Sequence, residues 1–116
     1  MGQPVVWFEV IGTDRDALLG FYCELFGWRA SPVGGWPYST IDTGAEEGIG
    51  GGIGEPTNGV ANHVTFYVRV DDVAAALEQV EELGGEPVMG PTDMPGGTVA
   101  LFADPEGHVI GLHRPA

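Results

Sequence analysis

Residues 5–28 read VVWFEVIGTDRDALLGFYCELFGW, and residues 63–86 read HVTFYVRVDDVAAALEQVEELGGE. Aligned at an offset of 58, the two stretches share Val6/Val64, Phe8/Phe66, Val10/Val68, Asp14/Asp72, Ala17/Ala75, Leu19/Leu77, Glu24/Glu82, Leu25/Leu83 and Gly27/Gly85. Nine identities in 24 positions exceed the roughly one or two that unrelated segments give, so the chain is an internal repeat. Each copy begins with alternating apolar residues, the pattern of a strand, and continues with apolar residues at helical spacing. Asp14 and Asp72 stand where a carboxylate caps the free N–H groups of a helix start. Gly27 and Gly85 follow the last apolar turns, where a residue able to take positive φ ends a helix.

Working outward, three short extended segments follow each helix, near 28–33, 38–43 and 48–54, then 86–89, 98–103 and 109–113. Ser31-Pro32, Gly34-Gly35, Pro91 and Pro95-Gly96-Gly97 supply the breaks. Both halves therefore read β-α-β-β-β, with module one at about 5–54, module two at about 61–114, and the turn-forming Glu55-Pro56-Thr57-Asn58-Gly59 between them. Past the turns Glu46-Glu47-Gly48 and Asp104-Pro105-Glu106-Gly107 the offset grows by one, which pairs Gly52 with Gly111. The fold class is α+β, two βαβββ modules in one domain of 116 residues.

Composition narrows the partners. Seventeen acidic residues against four basic ones give a formal charge of -13, the wrong sign for neutralising a nucleic-acid backbone. No apolar run approaches the roughly 20 residues of a membrane span, and the start MGQPVVWFEV lacks a secretory n-region, so the expected compartment is the cytoplasm. Cys23 is the single cysteine, which leaves no internal disulfide; its position is that of a packed helix residue. The run 48–54, GIGGGIG, has the composition of a phosphate loop, but no helix with Lys and Ser or Thr follows it, so it reads as a glycine-rich strand.

The doubled unit, with FYCELFGW closing the first helix and FADPEGHVIGL near the end, resembles the glyoxalase, bleomycin-resistance and extradiol dioxygenase proteins, the vicinal oxygen chelate superfamily. That resemblance spans roughly 5–114. It implies mixed sheets curved around a cleft, often completed by a second chain, and hence a homodimer. In the metal-dependent members the ligands come from the first and last strands of each module. Transferred here, those places hold Trp7, Thr65, Gly52 or its neighbour, and Gly111, a poor ligand set for a divalent ion. The expectation is therefore no cofactor, with a divalent metal disfavoured.

Gly52 and Gly111 also coincide in the self-alignment, where they either leave room for a ligand or mark bulges and tight crossings. With 6, 8, 10 and 64, 66, 68 facing the helices, strand alternation turns Trp7, Glu9, His63, Thr65 and Tyr67 to the cleft. The family arrangement brings the aromatic surface of Trp36 and Tyr38 near it. Glu9 is the candidate general acid or base if desolvated; alternatively it pairs with Arg69 or a backbone N–H. Tyr67 orients a ligand or simply packs, and His63 is a ligand contact or rim surface. The expectation is metal-independent binding of a small aromatic or cationic molecule by Trp7, Glu9, Trp36, Tyr38, Gly52, His63, Thr65, Tyr67 and Gly111. The alternative is a superfamily enzyme, a lyase, isomerase or dioxygenase, with an atypical metal site or Glu9 as base. A structural or partner-binding domain is the third reading, and the sequence alone leaves open whether the cleft is catalytic.

Overall fold

The computed structural model describes residues 2–57 and 59–116, so Asn58 of the expected linker lies outside the described residues. Module one supplies β1 (Val5–Ile11), α1 (Arg15–Phe26), β2 (Arg29–Pro32), β3 (Tyr38–Asp42) and β4 (Gly51–Gly54). Module two repeats the order with β5 (His63–Arg69), α2 (Val73–Glu82), β6 (Glu86–Met94), β7 (Gly97–Ala103) and β8 (Val109–Pro115). The α+β reading and the doubled βαβββ unit hold.

Two compact units form, residues 7–64 and residues 65–116 together with 2–6. Within the first, the strand order is β2-β3-β4-β1, antiparallel except for β1 alongside β4, where Glu9 stands opposite Gly52. Within the second, the order is β5-β8-β7-β6, and β5 runs parallel to β8 with Tyr67 opposite Gly111. Each parallel pair is joined by the whole of its module's helix and two intervening strands, as a parallel connection requires. Among the described residues no helix is long and apolar enough to cross a membrane.

The caps are built as the sequence predicts. Asp14 accepts from the N–H of Ala17 and Asp72 from that of Ala75, both at 3.0 Å. Gly27 takes φ 71° and donates to the carbonyl of Cys23 at 2.8 Å. The second helix departs from this symmetry: Gly84, not Gly85, adopts positive φ, at 98°. Gly85 is instead pinned by packing, since a Cβ there would come 2.6 Å from the Ala103 carbonyl.

Two further sequence expectations fail. Strand β6 runs through Pro91 to Met94 instead of stopping at Met89. It is an edge strand with register shifts between Pro87 and Met89 and between Met89 and Thr92, a setting that accommodates residues without an N–H. The matched apolar positions of β1 and β5 are also not the buried ones: Val64 is 74% exposed and Phe66 is exposed, whereas Glu9, Ile11, Thr65 and Tyr67 are buried. The reason in the second unit is where its helix lies. Helix α2 packs chiefly on β6, β7 and β8, and the core there is Val70, Val73, Leu77, Ala100 and Leu112, with Ala76 and Phe102 against it. In the first unit Phe8 does meet the helix-side aromatics, its ring 5.2 Å from Trp28, which in turn stacks on Tyr22 at 6.0 Å and tilts against Phe26 at 4.9 Å.

Candidate functional site

Strand alternation on β1 sends Trp7 and Glu9 to one face, and β3, two strands away, brings Tyr38 to the same place. The Trp7 indole Nε1–H donates to the Tyr38 hydroxyl at 2.9 Å, and that hydroxyl donates to Glu9 Oε1 at 3.1 Å. The other carboxylate oxygen, Oε2, lies 2.9 Å from His63 Nε2. The remaining imidazole nitrogen, Nδ1, is 2.8 Å from the Ala61 carbonyl. A carbonyl can only accept, so Nδ1 carries a hydrogen, and with Nε2 also facing a carboxylate the arrangement favours the imidazolium.

The electrostatics follow from that chain of contacts. His63 is held above the ordinary imidazole range, first by its hydrogen bond to Glu9 and further by the Ala61 carbonyl and the Glu9 charge, against the opposing effect of burial. Tyr38 is pushed above the ordinary phenol range by burial first and by the Glu9 charge second, so its hydroxyl keeps its proton. Glu9 is only 8% exposed, and both of its oxygens are engaged. The structure supplies Glu9 with an imidazole and a phenol as partners. His63, one of whose readings was rim surface, has a side chain only 11% exposed.

The closing-strand glycines are occupied space. A Cβ at Gly52 would overlap the hydroxyl end of Tyr38, and one at Gly54 would strike the ring and backbone of the same residue. In the second unit a Cβ at Gly111 would overlap the ring of Tyr67. Of the two sequence readings, room for a ligand or a tight crossing, the rings favour the second: the space over these glycines is filled by tyrosine rings, which need the missing side chains to lie flat against their neighbouring strands. Neither glycine has the positive φ of a distorted backbone.

The other candidates divide between the units. Trp36 is half-buried in the turn that leads into β3, two residues before Tyr38. Thr65 and Tyr67 belong to the second unit and are both buried; the Thr65 hydroxyl donates to the Val109 carbonyl at 2.6 Å. His108 sits in an exposed turn bonded to Asp104 at 3.0 Å.

A divalent ion of the superfamily kind does not fit these residues. The indole of Trp7 is a donor only, Gly52 and Gly111 offer no side-chain atom, and the Thr65 hydroxyl is spent on a backbone carbonyl. Among the described residues no group of three or more His, Cys, Asp or Glu side chains is placed to hold a metal.

Residues 5–112 match the family described as the Glyoxalase/Bleomycin resistance protein/Dioxygenase superfamily. The chain is 34% identical to the anthracycline biosynthesis protein DnrV of Streptomyces peucetius, over 97% of this chain and 47% of that protein. It is 31% identical to CFP32, a glyoxylase by name, of Mycobacterium tuberculosis (strain CDC 1551 / Oshkosh), over 97% of this chain and 44% of that protein. The chain thus spans about half the length of these curated relatives. A superfamily member from Vibrio splendidus 12B01 superposes with a TM-score of 0.63 at 14% identity, covering 99% of this chain and all of that one, which shows the shared fold. The repeat, the caps, the two βαβββ modules and this profile match converge on one conclusion: the chain belongs to the glyoxalase/bleomycin resistance protein/dioxygenase superfamily.

Proposed function

We propose that this protein binds a small planar aromatic or cationic molecule without a metal ion, on a surface built around Trp7. The observation that carries the reading is the half-buried network Trp7–Tyr38–Glu9–His63, in which each polar group is matched to another and the indole is fixed by its own N–H. Such a wall is pre-organised: its rings lose little freedom when a flat ligand stacks on them, and the Glu9 carboxylate supports a nearby positive charge. Half-buried Trp36 is the second stacking surface. In this reading Gly52 acts indirectly, by seating Tyr38, while Gly111, Thr65 and Tyr67 pack within the second unit and are no part of the proposed surface. The likeness to a protein of anthracycline biosynthesis supports a polycyclic aromatic ligand.

Glu9 serves better as a support than as a general base. It already accepts from a phenol and faces an imidazole whose cationic form it favours, so taking a substrate proton would break two existing contacts. We place the protein in the cytoplasm, on its acidic, cysteine-poor composition.

The test is native mass spectrometry of untagged protein against a panel of an anthracycline, a flavin and an acridine, with metal analysis of the same sample. The expected result is a one-to-one complex with at least one aromatic in metal-free protein. Failure of every aromatic to bind, or binding only after stoichiometric metal is restored, overturns the proposal.

A further inference from the structure

Glu9 and His63 are both departures from the internal repeat. At the offset of 58, Glu9 corresponds to Tyr67 and His63 to Val5, so each copy carries an uncharged residue where the other has one of this pair. The structure brings the two departures together, Glu9 Oε2 lying 2.9 Å from His63 Nε2. The first unit has thus acquired a carboxylate and its own counter-charge at one place.

The ring is held so that both its nitrogens face acceptors, the carboxylate at Nε2 and the Ala61 carbonyl at Nδ1. Only the imidazolium keeps both bonds, because either neutral tautomer turns a lone pair toward an oxygen. The titratable groups that face the ring are Glu9 from β1 and, beyond Glu9, Tyr38 from β3; the segment leading into β5 brings only the Ala61 carbonyl. Tyr38 keeps its proton and the Trp7 indole has no charge, so the four side chains together are neutral.

That balance decides between ligand classes. The positive charge that Glu9 supports is supplied from within, on His63. A cation stacked on Trp7 meets the imidazolium at a range comparable to the carboxylate, and the repulsion of one offsets the attraction of the other. A flat uncharged ring gains burial and dispersion on the same indole without that opposition and without giving up the hydration of a charge. The formal charge of -13 draws cations to the protein as a whole, but through a field that physiological salt screens beyond about 8 Å.

We infer that the Trp7 surface selects uncharged planar aromatics, and that His63 is the residue that sets this preference by answering the charge of Glu9. The inference rests on the stacking reading above and narrows its ligand to one of the two classes named there.

Calorimetric titration with acridone and with N-methylacridinium, tricyclic rings of similar shape that differ in charge, tests it. The titrations are made at about pH 6, below the ordinary imidazole value, and in about 0.15 M salt. The wild type is expected to bind acridone about 10-fold or more tighter than the cation. His63→Gln, which can still donate to Glu9 but carries no charge, tightens the cation about 10-fold and leaves acridone within about 2-fold. Adding Glu9→Gln to His63→Gln restores the neutral balance and returns the cation to near its wild-type affinity. Equal or tighter binding of the cation by the wild type overturns the inference and needs no variant to show it. A His63→Gln effect of the same size on both ligands overturns it as well. Either result leaves the stacking reading standing, whereas failure of both rings to bind any of the proteins overturns that reading and this inference with it.

Discussion

The two units solve one packing problem in different ways. In each, the last strand presents a glycine beside the first strand of the module, and in each a tyrosine ring covers it. In the second unit the ring comes from the residue directly opposite, Tyr67 over Gly111. In the first unit the residue opposite Gly52 is Glu9, and the ring arrives from the other side, from Tyr38 on β3. Glu9 and Tyr67 are equivalent in the repeat, so the same site holds a carboxylate in one copy and a phenol in the other. By drawing its filler from β3, the first unit frees that site for a charge, which His63 then balances. The comparison shows that the first unit alone places a carboxylate paired with an imidazole at this site.

The largest effect expected from breaking this arrangement is at His63. His63→Ala leaves the Glu9 carboxylate buried without its cation and should cost about 3–5 kcal/mol by denaturant unfolding, a penalty with no counterpart in the second unit. A loss near that of an exposed pair would show that the two contribute little. Next come the glycines: Gly52→Ala and Gly111→Ala should each destabilise by about 1–3 kcal/mol, because each added methyl displaces a tyrosine ring. Only Gly52→Ala should also perturb the fluorescence of Trp7, whose indole is tied to the displaced hydroxyl.

Tyr38→Phe sharpens the contrast further. It keeps most of the ring over Gly52 but strips Glu9 Oε1 of a donor and the Trp7 N–H of its acceptor, for an expected loss of about 1–3 kcal/mol. Crystals of the variant should show the ring in place. The smallest effect is the pH dependence. His63 is raised in the folded protein, so its contribution is full below the ordinary imidazole value of about 6.5 and declines as pH rises through the higher folded value. Stability measured across that window should fall in the wild type, and His63→Gln should remove that component.

Much of this was legible in the residues. The self-alignment defines the modules, because caps and strand alternation have local signatures that recur; Asp14 and Asp72 cap their helices as read. Strand parity also placed Trp7 and Glu9 together. The sequence did not disclose that His63, 54 residues away, is the partner of Glu9, since periodicity assigns a face but not a neighbour across strands. Nor could it show that Gly52 and Gly111 are covered. A missing side chain reads equally as a void or as a seat, and only the lean of Tyr38 and Tyr67 decides.

Trp7 is the proposed surface on which a ligand stacks without a metal. The most direct measurement is titration of intrinsic tryptophan fluorescence with an aromatic ligand from the panel in excess chelator, in wild type and in Trp7→Ala. The account predicts saturable quenching that chelation leaves unchanged and that Trp7→Ala abolishes while the fold is kept. Quenching that vanishes with chelator, or that persists undiminished in Trp7→Ala, would contradict it.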